Sequence, residues 1–263
     1  MAYECIILEK KGSIATMTLN RTQVLNALNY PMCREIIDAI DNVAGDEEVR
    51  ALVITGAGRS FCSGDDLKGM GTPPREGSAY LQQKVMKDIR NLRKPVIAAV
   101  NGNAHGAGSD IMLSCDFRIA SEDAKLGDLR SSRALLIGTG TTYLLPALVG
   151  LAKAIELIFT GDMIDAKEAE RIGLVNKTVP VDRFMGEVMA LADKLAQGPT
   201  KVIGIAKAEI YRELNMSLAQ ALEDELTEMG TPWSGDGLWL TIEDTQEGRK
   251  SFHEKRKGKF TGK

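Results

Sequence analysis

Histidine and cysteine are scarce in this chain: two histidines and four cysteines among 263 residues. Cys5, Cys33, Cys62 and Cys115 stand apart, with no CxxC pair. That argues against a structural zinc site and leaves reduced thiols as the expectation. No metal is expected. No apolar run approaches the ~20 residues a membrane span needs. The opening segment, MAYECIILEKKGSIATMTLN, has no basic stretch followed by an apolar one, so no secretory signal is read and a cytoplasmic protein is expected. The net charge is only -3, which gives no general nucleic-acid footprint. Positive charge gathers in the tail, near Arg249–Lys263, where such a run is ordinarily solvated. The phosphate-binding pattern GxxxxGK[ST] is missing. The Gly-Xaa-Gly pairs at Gly106 and Gly138 do not complete a dinucleotide fingerprint.

What is present is an alternation of strands and helices. Ser13–Leu19, Ala51–Thr55, Val96–Val100 and Phe117–Ala120 read as strands. The middle two are short apolar runs of the kind buried on both faces. Between Tyr30 and Val43, apolar Met32, Ile36, Ile37, Ile40 and Val43 recur at helical spacing. Ser78–Leu92 and Ser109–Ser114 read as further helices. Beyond Thr200 the pattern turns mostly helical, over Lys201–Leu214 and Leu218–Met229, and is broken at Pro232-Trp233-Ser234-Gly235. These features predict an α/β core over residues 1–199 and a C-terminal helical region over 200–263 suited to oligomerisation.

Two glycine-containing segments carry the functional signal. One, Gly58 to Leu67 (GRSFCSGDDL), follows the strand ALVIT. The other, Asn101 to Asp110 (NGNAHGAGSD), follows VIAAV and leads into a helix. Small residues let a ligand approach the main chain, and free N–H groups at a helix start favour negative charge. Two such N–H groups converging on one carbonyl oxygen stabilise an enolate, each donor being worth roughly 3–4 kcal/mol of barrier.

Several ordered motifs give the chain a resemblance along nearly its whole length. They are Asn26-Ala27-Leu28-Asn29, SFCSGDDLK, KPVIAAVNG with the small-residue turn after it, CDFRIAS, AIELIFTGDMIDAKEAERIGLVNKTVP and EGRKSFHEKRKGKF. Together they resemble the crotonase (enoyl-CoA hydratase/isomerase) superfamily. The resemblance implies a fold of repeated ββα units with two roughly perpendicular sheets. It also implies a homotrimer, often paired into a dimer of trimers, and an acyl-CoA substrate. No cofactor is implied beyond the coenzyme A that the substrate carries, and no nucleic-acid or membrane partner.

Carried over residue by residue, the resemblance puts the oxyanion-hole amides at Asp65 and at Ala107, where glycine is usual. Contacts to CoA are expected near Ala27, Ser63, Asp65, Leu67 and Lys68, with Phe252 and Lys255 reaching the nucleotide of a neighbouring subunit. The hydratase pattern uses two glutamates to hold one water and move its proton. Their positions fall at Asp110 and Arg130 here, and an acid site used by some isomerases falls at Gly138. Arginine cannot act as a base near neutrality.

Three readings stay open for this pair. Asp110 handles water or a proton while Arg130 holds it; or Arg130 binds a carboxylate or carbonyl on the acyl group; or Arg130 turns outward and Asp65, Asp128 or Glu122 supplies the acid. His105 and Tyr143 are candidates for the acyl pocket, with packing as the plainer alternative for each. Cys62 and Cys115 lack a base partner, so a nucleophilic role is not expected. The expected chemistry is hydratase- or isomerase-like, through a thioester enolate. A CoA-thioester hydrolase, decarboxylase or carbon–carbon hydrolase is the alternative on the same scaffold, and a non-catalytic acyl-CoA binder the alternative from another class.

Overall fold

The computed structural model describes residues 3–68, 78–229 and 241–263. The break expected at Pro232-Trp233-Ser234-Gly235 lies outside them. The apolar runs form the strands expected of them. β1 (Ile6–Lys11) pairs antiparallel with β2 (Ile14–Leu19), and β3 (Ala51–Gly56), β5 (Val96–Val100), β7 (Phe117–Ser121) and β10 (Lys177–Val179) continue the sheet in parallel, in the order β1-β2-β3-β5-β7-β10. Every residue of β3 and β5 is buried, as a strand covered on both faces must be.

A second, four-stranded sheet takes β4 (Ser60–Cys62), β6 (Asn103–His105), β8 (Lys125–Gly127) and β9 (Met163–Asp165) in that order. β4, β6 and β8 run parallel, and β9 runs antiparallel to β8. Each of these three parallel strands follows closely on a strand of the large sheet: β4 on β3, β6 on β5, β8 on β7. This is a repeated ββ step, closed by helices α2 (Ser78–Asn91), α3 (Ala107–Ser114) and α4 (Thr141–Val149). Because the three strands are parallel neighbours, the loops leaving them emerge at one end of the small sheet. These loops are Ser63 onward, Gly106 onward and Asp128 onward. The carboxyl ends of parallel strands are where α/β folds place ligands.

Helix α1 (Tyr30–Gly45) starts where Asn29 caps it, its side chain accepting from Met32 N at 3.0 Å. Its buried face, Met32, Cys33, Ile36, Ala39, Ile40 and Val43, is the one the 3.6-residue period predicts. The remaining α-helices among the described residues are α5 (Leu151–Thr160), α6 (Ala166–Arg171), α7 (Phe184–Ala196), α8 (Thr200–Glu213), α9 (Leu218–Met229) and α10 (Glu243–His253).

The C-terminal region is tied to the core by polar contacts. Lys207 of α8 is buried and pairs with Asp116 at 2.9 Å, and Tyr211 donates to the same carboxylate at 2.6 Å. Arg50, just before β3, donates to Thr200 Oγ1 at 3.1 Å and to the Phe260 carbonyl at 2.8 Å. A residue as solvated as lysine is buried only where it is paired. These contacts therefore fix where α8 and the tail sit. No helix among the described residues is long and apolar enough to cross a membrane.

Candidate active site

The first wall of the site is the stretch Arg21–Leu28 laid against Ser63–Asp66. Asn26 is wholly buried in a left-handed conformation, φ 59°. An asparagine tolerates that region better than most residues. Its amide donates to the carbonyls of Ala57 (2.9 Å) and Ser60 (2.8 Å) and its oxygen accepts from Arg21 N (2.9 Å). Arg21 in turn grips the Ala27 carbonyl at 2.6 Å and the Asp66 carboxylate at 2.8 Å. Ser63 donates from Oγ to Val24 O at 3.1 Å. The Asn-Ala-Leu-Asn motif thus holds the loop after β4 in place.

Leu28 and Asp65 form an isolated parallel bridge. In it Leu28 N donates to Gly64 O (2.7 Å) and Asp66 N to Leu28 O (2.9 Å). A parallel bridge of this kind uses the atoms on either side of Asp65 and turns the N–H of Asp65 itself the other way. On that other side lies the turn after β6. A Cβ on Gly64, whose φ is 96°, would lie 2.9 Å from His105 O and 3.6 Å from Ala107 N. Only glycine lets the two turns come this close.

Ala107 is the first residue of α3, so its N–H has no partner within the helix. Among the described residues, neither Asp65 N nor Ala107 N donates a hydrogen bond to the protein. Helix α3 is buried along its length, and its positive end reinforces these donors. Gly108 completes the arrangement, since a Cβ there would stand 2.2 Å from Cys62 O. The helix start is therefore seated directly on β4.

The second wall is an ion network. Arg130 is turned inward, its side chain 6% exposed. Its Nε donates to Asp128 at 2.9 Å, Nη1 to Asp110 Oδ2 and Thr139 Oγ1 at 2.9 Å each, and Nη2 to Asp110 Oδ1 at 3.2 Å and Thr141 Oγ1 at 2.9 Å. Nη2 also meets Asp128. Thr139 and Thr141 each donate a short hydrogen bond to one oxygen of Asp110. Burial pushes the Asp110 carboxyl up from its ordinary value, against the pull of Arg130 and the two hydroxyls. Burial opposes the charge on Arg130 as well, but Asp128 and Asp110 outweigh it and hold the guanidinium above its usual range.

Asp110 and Arg130 are therefore brought together, as their positions after β6 and β8 require, but they face each other. Asp110 has no exposed surface, and each of its oxygens already accepts from one guanidinium nitrogen and one hydroxyl. Of the three open readings, the one in which Arg130 turns outward is corrected, because two buried carboxylates draw it in. Its side-chain nitrogens are all engaged, so none is left to bind an acyl carboxylate. Asp128 is held by the same guanidinium. Glu122 lies at the end of β7, accepting from Val181 N at 3.2 Å.

The cleft beside the two amides is lined by Ser63, Asp65, His105, Arg130, Arg133 and Leu135, among others. Asp65 sends its carboxylate to Gln82 Nε2 at 2.5 Å. Burial, reinforced by the guanidinium of Arg133, holds the His105 imidazole below its ordinary value, against the opposing pull of Asp128.

Ala27 and Ser63 flank the Asp65 loop, and Leu67 and Lys68 lie exposed at its end. Tyr143 does not join this cleft. Its hydroxyl is bonded to Asn215 (2.9 Å from Nδ2), and its ring walls a separate, mostly apolar cavity of about 470 Å³ between α4 and α8. Phe252, 81% exposed on α10, and Lys255 lie outside the cleft of their own chain. Burial pushes the thiols of Cys62 and Cys115 up to about 12, which removes them as nucleophiles. Among the described residues, no group of three or more histidine, cysteine or acidic side chains is placed to hold a metal.

A family model described as enoyl-CoA hydratase/isomerase matches residues 9–263. The chain belongs to the enoyl-CoA hydratase/isomerase family. It is 39% identical to a crotonyl-CoA hydratase of Syntrophomonas wolfei over the whole of both chains. It is also 39% identical to a short-chain-enoyl-CoA hydratase of Clostridium acetobutylicum over 96% of this chain and 95% of the relative. The crystal structure of an enoyl-CoA hydratase from Bacillus anthracis superposes with a TM-score of 0.90 at 32% identity, covering 99% of this chain and 100% of that one. The crotonase fold and an enzyme of the hydratase/isomerase family follow.

Within that family reading, sequence reasoning missed four supporting residues: Gln82, which holds the Asp65 carboxylate, Thr139 and Thr141, which hold Asp110, and Arg133. The two threonines lie in GTGTT, a segment weighed only for its glycines. The cue available was a pair of hydroxyls facing an arginine that stands where the family carries an acid.

Proposed function

We propose that this protein binds an acyl-CoA thioester with the carbonyl oxygen between Asp65 N–H and Ala107 N–H, and that it hydrates or isomerises a short enoyl-CoA through the enolate those donors stabilise. The reading is carried by the two uncommitted amides, placed side by side by Gly64 and Gly108. They lie in a turn and at a helix start where negative charge is favoured. The names of the relatives point to a short, unsaturated acyl chain. Ala27, Ser63, Leu67 and Lys68 line the path the pantetheine and nucleotide take. Phe252 and Lys255 serve a neighbouring copy in a homotrimer or dimer of trimers. An exposed stripe on α9, Leu218, Leu222 and Leu226, supports an intersubunit face in the C-terminal region.

Asp110 and Arg130 act as positioning residues. Closed on each other and on Asp128, they hold the loop after β8 against α3 and so fix the floor of the cleft. The same closure favours a second reading, since two carboxylates facing one water are not available. A decarboxylase or thioester hydrolase needs no such pair. Incubation with crotonyl-CoA and analysis of the products separates the two. Appearance of 3-hydroxybutyryl-CoA, with loss of the conjugated thioester's ultraviolet absorbance, is the expected result. Release of free CoA, or of carbon dioxide from a carboxylated acyl-CoA, with no hydration, overturns it.

A further inference from the structure

We propose that the imidazole of His105 is the proton carrier of this site, a catalytic role that the two carboxylate positions of the sequence pattern have given up. The inference rests on the cleft being a thioester site, and it starts from a gap. Enolate chemistry at Cα requires a group that takes and returns a proton. Asp110 is buried with both oxygens saturated, and Asp128 is bound to Arg130. Of the other side chains lining the cleft, Arg130 and Arg133 are arginines, which do not serve as bases near neutrality, and Asp65 is held by Gln82. His105 is the one left with no hydrogen-bond or ion-pair partner among the described residues.

Its position suits the task. It ends β6 and directly precedes Gly106, two residues before the Ala107 donor; its main-chain oxygen packs against Gly64, next to the Asp65 donor, and the residue lines the cleft. The charged groups facing it are Arg133, Arg130 and Asp128 from the loop after β8 and Asp65 from the loop after β4. Burial and Arg133 hold the imidazole below its ordinary value, which favours the neutral ring that can accept a proton.

In hydration, a water gives one proton to the free imidazole nitrogen as its oxygen bonds to Cβ. The electrons of the double bond move to the thioester oxygen, held by the two amides. The imidazolium then returns the proton to Cα as the carbonyl re-forms. One water is consumed and the histidine ends as it began.

His105→Gln and His105→Asn test this, with thermal unfolding run alongside to verify folding. Two activities are read. The first is hydration of crotonyl-CoA across pH. The second is exchange of the Cα hydrogens of butyryl-CoA for deuterium in heavy water, followed by NMR. Exchange needs only the proton carrier and the oxyanion hole, whatever the overall reaction. Expected is a loss of at least about a hundredfold in both rates, the usual size of such catalysis. Butyryl-CoA affinity should change far less, and the fall of activity towards acid pH should disappear from the residual rate. Folded variants that keep more than a tenth of either rate, with the acid fall intact, overturn the proposal and leave the hydratase reading standing. Wild-type protein that exchanges the Cα hydrogens but does not hydrate overturns the hydratase reading instead, and the variants then decide the role of His105 by exchange alone.

Discussion

Replacing Arg130 by methionine removes the cation on which two buried carboxylates depend. Asp110 is 0% exposed and Asp128 2%, so solvent does not screen either. Asp110 would keep only the hydroxyls of Thr139 and Thr141. Asp128 would keep the Arg130 main-chain N–H at 3.0 Å, which the substitution does not touch. Breaking a buried ion pair from one side costs about 3–5 kcal/mol. At roughly 2–4 °C per kcal/mol for a chain of this size, the thermal midpoint should fall by roughly 10 °C.

The pH dependence has a fixed sign. Burial already raises Asp110, and loss of Arg130 raises it further. A carboxyl raised in the folded state favours folding below its unfolded value, ordinarily 3.8, and that contribution is lost as pH rises through the folded value. The deficit of R130M against wild type should therefore be largest at neutral pH and shrink towards acid. Asp110→Asn added to R130M should recover part of it at neutral pH. Thermal or denaturant unfolding at several pH values measures all of this. A deficit under about 1 kcal/mol, or one that does not change with pH, would refute the claim that this network holds the cleft floor.

Two further outcomes are expected. Gly108→Ala puts a methyl carbon 2.2 Å from Cys62 O, so α3 must shift. A loss of about 2–3 kcal/mol is expected from such overpacking, with hydration falling more steeply than thioester binding because the Ala107 donor moves with the helix. Arg133→Ala removes a cation that lowers His105, so the acid limb of the hydration profile should move to higher pH. An unmoved limb would mean that the two side chains are not coupled.

Much of the fold was legible in the chain itself. The runs at Ala51–Thr55 and Val96–Val100 are buried strands because they are almost wholly apolar, and the one hydroxyl, on Thr55, donates to Ala99 O at 2.9 Å. Tyr30–Val43 is a helix because its apolar residues recur on one face. The strands of the small sheet were not legible, since three residues each, such as Asn103-Ala104-His105, are too few for a period of two to register. The glycine turns were legible as places of close approach, and Gly64 and Gly108 carry out that role. The Asp110–Arg130 contact was foreshadowed in one of three open readings, because the family resemblance puts the two acid positions of one site at these residues. What the sequence did not disclose was that Asp128, Thr139 and Thr141 would complete the network and engage every polar atom of both side chains. Asp128 and Thr139 lie in a connection with no periodic pattern, and Thr141 opens α4. Their convergence is a property of the folded chain.

The most direct test is a crystal structure with butyryl-CoA, a saturated thioester that cannot be hydrated. The thioester oxygen should lie within about 3.2 Å of both Asp65 N and Ala107 N. An oxygen bound elsewhere, or amides turned apart and bonded to the protein, would contradict the account at its root.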